Sequence, residues 1–143
     1  MANGDVTLFN QAKKNIGNGT IDWDTGTTKV MLVNTTIGAT EIDNWDFKDD
    51  VTGEVSLTNY TAGGVAITPS APTVDTTNNW AEYDATDAAW TNLQAGTVSH
   101  GVVYKDTGTA GTSALICFVE LTTQPNGGNY TIAWHADGVF KLT

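Results

Sequence analysis

At 143 residues the chain is about one domain long, and a domain of that size can bury most of its unfolded surface without disulfides or metal. Sixteen acidic residues against six lysines and no arginine give a formal charge of −10. That balance argues against nucleic acid or an anionic membrane as partner, since both need a basic footprint. No apolar run approaches the length of a membrane span, and no leader of basic then apolar residues opens the chain, so a soluble, unexported protein is expected.

Composition points to strands. Threonine occurs 25 times and glycine 15 times, while charged residues make up only 15%. One helix is expected, within an N-terminal helix or arm over residues 1–19. Asp5 precedes Leu8, Phe9, Ala12 and Ile16, which share a helical stripe; Lys13 and Lys14 suit the negative end of the dipole, and Gly17 or Gly19 can close the last turn. So short a helix must dock its stripe on the protein's own sheet or on a neighbouring subunit.

From Thr20 onward the reading is β. Residues 27–33 form a strand; residues 36–50 form an irregular acidic stretch that carries Trp45 and Phe47. Residues 54–60 and 65–68 read as strands around a Gly63-Gly64 turn, with Pro69 and Pro72 marking an edge or a crossing between sheets. Residues 79–85 and 88–91 are short strands. Residues 98–105 alternate, with His100, Val102 and Tyr104 on one face, and residues 113–121 are apolar on both faces, which places that strand centrally. Pro125-Asn126-Gly127-Gly128 is a turn, Tyr130, Ile132 and Trp134 alternate inward, and Asp137-Gly138 turns the chain into residues 139–142. The fold class is therefore all-β, a β-sandwich or jelly-roll-like domain over residues 20–143 behind the N-terminal segment.

Catalytic chemistry is sparse. The one cysteine, Cys117, lies in the most apolar strand, where it acts as a small hydrophobe, and it excludes both an internal disulfide and a multi-cysteine zinc site. The four serines form no nucleophile elbow, and His100 and His135 read as hydrogen-bonded structural residues. Asp84 and Asp87, beside Trp80, Tyr83 and Trp90, resemble a glycosidase pair on a sugar platform, yet Asp at a strand end more commonly makes a local turn. Asp22 and Asp24 with Gly26 resemble part of a calcium loop but fail the EF-hand template, and Asp43, Asp46, Asp49 and Asp50 form a second acidic set. No catalytic residue, no metal ligand and no cofactor is assigned. Among five tryptophans, Trp134 is expected in the core, and Trp23 and Trp45 on the surface as anchors.

Six strings, taken in order, carry a family resemblance: Thr20-Ile21-Asp22-Trp23-Asp24 leading into Thr28-Lys29-Val30-Met31-Leu32-Val33; Asp46-Phe47-Lys48-Asp49-Asp50-Val51; Tyr60-Thr61-Ala62-Gly63-Gly64; Val103-Tyr104-Lys105-Asp106-Thr107-Gly108; and Trp134-His135-Ala136-Asp137-Gly138-Val139-Phe140. The chain resembles the head decoration, or cement, proteins of tailed bacteriophages. The resemblance implies a non-enzymatic virion protein on the outer surface of the capsid. Its partner would be the major capsid protein, whose subunits it would bridge, and it would itself form a dimer or trimer. It would bind neither nucleic acid nor membrane. Leu8, Phe9, Trp23, Trp45 and Phe47 are the expected apolar contacts with the shell. A carbohydrate-binding sandwich module and a tail or neck protein are the alternatives.

Overall fold

The most apolar segments of the chain pair with each other and become its centre. The computed structural model describes residues 3–143, and there β8 (Leu115–Leu121) lies between β1 (Asn3–Leu8) and β7 (His100–Asp106). β7 in turn pairs with β2 (Thr27–Val33), and β2 with the short β3 (Val65–Ile67). This gives a five-stranded antiparallel sheet of order β1-β8-β7-β2-β3. Two smaller antiparallel sheets complete an all-β, sandwich-like architecture: β4 (Thr73–Asp75), β5 (Trp80–Tyr83) and β10 (Phe140–Leu142) in one, β6 (Ala88–Trp90) and β9 (Tyr130–Ile132) in the other. The helices α1 (Asn10–Gly17) and α2 (Ala39–Asn44) are both short.

Register assigns the faces of the main sheet, because directly opposed residues point the same way. Phe118, Val102, Met31 and Val33 fall on one face; Val119, Gly101, Val103 and Val30 fall on the other. Both are buried. On the first face the Phe118 ring packs 5.2 Å from Phe9, and Phe9 lies 6.1 Å from Trp45, so the segment around α1 and α2 covers this side. On the second, a Cβ at Gly101 would come within 2.9 Å of Ile132 Cδ1 and 3.2 Å of Val119 Cγ1, so β9 lies directly on the sheet. A side chain at position 101 would push the two layers apart.

Residues 52–64, which lead into β3, continue the pairing along the edge of β2. Val55 N–H donates to Leu32 O, and Leu32 N–H donates to the Tyr60 hydroxyl at 3.0 Å. That hydroxyl donates onward to Glu54 Oε1 at 2.8 Å, which also takes the Gly63 amide. Burial holds the Tyr60 phenol far above its ordinary pKa, with the Glu54 charge adding to the effect. Gly64 sits at φ +80°, where a Cβ would fall 1.8 Å from Val30 O, so only glycine lets the turn approach β2 so closely.

Several elements differ from the sequence reading. The helix does not begin after Asp5: residues 3–8 form the outer strand of the main sheet beside β8, and the helix begins at Asn10, after an extended Phe9. Tertiary pairing outweighs the local stripe here, because β8 would otherwise lose its partner on that side. The expected closure does occur, with Gly19 at φ +80° and its amide bonded to Ile16 O. Within the acidic stretch 36–50 lies α2, which buries none of its residues and so left no apolar periodicity to read. Residues 54–60 contribute one isolated bridge, Glu54 to Val33, instead of a strand.

Candidate functional surface

The five residues expected to contact a partner do not share a surface. Phe9 is fully buried, Trp45 is 9% exposed and Trp23 3% exposed, so all three belong to the core. Trp23 is buried despite the aspartates on either side of it. Its indole N–H donates to Asp84 O at 3.1 Å, and its ring meets Phe140 edge-on at 5.2 Å. Trp45 follows α2 and closes over Phe9. Phe47 is half-buried and forms a backbone bridge to Ala114. Leu8 is half-buried on β1. Trp134, expected in the core, is half-buried at the surface; its indole donates to Thr86 O at 2.9 Å and its amide to Asp87 Oδ1 at 3.2 Å.

The acidic motifs prove to be structural. The loop carrying Asp22 and Asp24 is closed by a cation of the protein itself: Lys105 Nζ donates to Trp23 O and Thr28 Oγ1, each at 3.0 Å, and to Thr25 O. The ammonium stands where a metal ion would sit in a calcium loop. Burial holds its pKa below the ordinary lysine value, against the opposing pull of Asp22 and Asp24. In the second acidic set, Asp50 Oδ2 accepts the amides of Asp46 and Phe47, Asp46 accepts from Asn15 and pairs with Lys14 at 3.8 Å, and Asp43 accepts from Asn10. Among the described residues no group of three or more His, Cys, Asp or Glu side chains is placed to hold a metal.

Asp84, Asp87 and His100 also have local partners. Asp84 accepts the amide of Ala85, and Asp87 is engaged by Trp134. His100 is buried, with Nδ1 3.1 Å from Ser99 Oγ and its ring edge-on to Phe118 at 5.3 Å. Burial drives the Cys117 thiol well above its ordinary pKa, so it stays protonated and inert.

Two features of the surface stand out from this quiet background. One is the β4–β5 hairpin, where Asp75 accepts the amides of Thr77 and Asn78, and Asn79 takes φ +60°. It carries Val74, at 75% exposure the only large hydrophobic residue among the described residues that is so open. The other is a groove of about 900 Å³ bounded by β1 on one side and residues 133–141 on the other. Leu8, Val119 and Phe140 supply apolar lining, while Lys13, Trp134 and His135 add polar and aromatic groups. At its border Asp137 accepts from Lys141 at 3.2 Å and lies 3.3 Å from His135 Nδ1; Lys141 also sits 3.7 Å above the Trp80 ring. Among the described residues no helix is long and apolar enough to cross a membrane. No protein-family model, curated protein or solved structure matches the chain.

Proposed function

We propose that this protein is a non-enzymatic structural protein of a tailed-phage virion, a decoration protein that binds the outer surface of the head and bridges major capsid protein subunits. The observation that carries the reading is the division of labour in the fold: a main sheet buried on both faces at its centre, together with an exposed hairpin in the three-stranded sheet and an open groove beside β1. A brace needs that combination. A stiff core loses little conformational entropy on docking, and exposed edges provide contact area toward the roughly 1,600 Å² of a standard interface. The charge of −10 suits a position on the outside of the shell, away from packaged DNA. The family strings support the same reading over most of the chain after Thr20.

Co-sedimentation tests it. The purified protein is expected to pellet with expanded, DNA-free heads and to stay in the supernatant with compact procapsids and with isolated tails. Binding to tails alone would move the protein to the tail or neck; binding to neither would end the reading. The half-buried Trp134 at the groove favours one second reading, a carbohydrate-binding module. Quenching of tryptophan fluorescence by soluble polysaccharides would support it.

A further inference from the structure

The groove beside β1 is bordered by unpaired backbone. Among the described residues β1 is the outer strand of its sheet and pairs with β8 alone. Phe9 N–H donates to Ile116 O, and Thr7 lies opposite Phe118, two residues further along each strand. Alternate residues of an antiparallel strand direct their amides to opposite sides, so Thr7 faces β8, whereas the N–H and C=O of Val6 and Leu8 face outward. Exposed edges of this kind are normally blocked by charge or by a bulge. β1 has both toward its start, Asp5 and an irregular register between Asn3 and Val6. The stretch from Val6 to Leu8 has neither.

The groove is lined by two acids, Asp5 and Asp137, and two lysines, Lys13 and Lys141; Asp137 pairs with Lys141, whereas Lys13 makes no ion pair among the described residues. Four of the six lysines are committed to acids or carbonyls: Lys14 to Asp46, Lys29 to Asp106, Lys141 to Asp137, and Lys105 to its loop. Lys48 lies over the Tyr104 ring. Among the described residues the ammonium of Lys13, at the groove, bonds to the amide oxygen of Asn10 and to no acid. In a chain of charge −10 this is an uncommon place, and it suits a carboxylate brought by a partner.

From these observations we propose that the groove takes an extended segment of the capsid protein, which adds a strand to β1 at Val6 and Leu8. The segment sets apolar side chains against Leu8, Val119 and Phe140 and aims an acidic side chain at Lys13. The wall formed by residues 133–141 favours a slender strand over the whole body of a second copy. This inference rests on the decoration reading, since it names the surface through which the shell is held.

Hydrogen exchange on the wild-type protein, free and saturating expanded heads, tests it directly. The amides of Val6 and Leu8 are expected to slow at least tenfold on the heads. Lys13→Glu, at an exposed position, is expected to weaken head binding at least tenfold, while Lys14→Glu on the same helix changes it less than twofold. If the protein pellets with heads but those two amides exchange as in the free state, strand addition is wrong and the decoration reading stands. Failure of the wild type to pellet at all overturns both. Slowing of the same amides at high protein concentration without heads would assign the edge to self-association and overturn the capsid segment as occupant.

Discussion

The centre of the five-stranded sheet and the β4–β5 hairpin use the same pairing geometry and end in opposite states. In the first, β8 leaves only Glu120 exposed, and β7 is buried from His100 to Tyr104. In the second, β4 buries none of its residues and β5 is half-buried throughout. The difference is one of coverage, not of strand chemistry. The main sheet has α1, α2 and their loops on one side and β9 on the other, whereas the β4–β5 hairpin lies at the margin with solvent beside it. Local opening should follow the same division, rare in the main sheet and frequent in the hairpin.

Phe9 gives the sharpest way to break that comparison. If it anchors the main sheet's cover, Phe9→Ala removes a ring fully enclosed between Phe118 and Trp45 and costs about 3–5 kcal/mol. Chemical denaturation would show a midpoint far below wild type with the slope little changed. A loss under about 1 kcal/mol would mean that the α1 layer is loosely held, and the contrast between the two sheets would disappear.

The main sheet was largely legible in the sequence, because β2, β7 and β8 are long, apolar and bounded by turns. What could not be read was which local pattern tertiary contacts would override. Residues 5–9 fit a helical stripe and a strand equally well, and only β8 decides between them. Trp23 and Trp45 were misplaced for a related reason: their polar neighbours suggested solvent, but the Trp23 indole finds its partner at Asp84 O, far along the chain, and beside Trp45 the Asp50 carboxylate accepts the amides of Asp46 and Phe47. The groove had no signature in sequence, since it joins residues 5–13 to residues 133–141 across the full length of the chain.

A smaller effect probes the rim of the main sheet. Asp106, at the end of β7, accepts from Lys29 at 2.7 Å and from the Gly108 amide at 2.9 Å, and these bonds hold its carboxyl below the ordinary aspartate pKa. A group with a depressed folded pKa stabilises the protein above its unfolded pKa, about 3.9 for aspartate, and loses that contribution as pH falls through the lower folded value. Asp106→Asn is therefore expected to cost about 0.5–1 kcal/mol at pH 7, where the pair is partly exposed, and nearly nothing at pH 2. Urea midpoints of the two proteins should converge as the solution is acidified below about pH 4. Parallel curves down to pH 2 would show that the carboxylate contributes no stability there.

Val74 tests the other sheet, and with the smallest expected change. Its side chain is 75% exposed on β4, opposite Ala81, so Val74→Ser removes two methyl groups that already face water. No cavity forms and no polar group is buried, which leaves a small loss of strand preference to weigh against better solvation. Stability should stay within about 0.5 kcal/mol of wild type, a shift of the melting temperature of about 2 °C or less. A fall several times larger would mean that the hairpin is packed against something, and the obvious candidate would be a second copy of the chain, since a sheet that is open in one molecule can be closed in a pair. The melt should therefore be repeated over a hundredfold range of protein concentration. A midpoint independent of concentration, with Val74→Ser overlaying wild type, leaves the hairpin free for a partner of another kind.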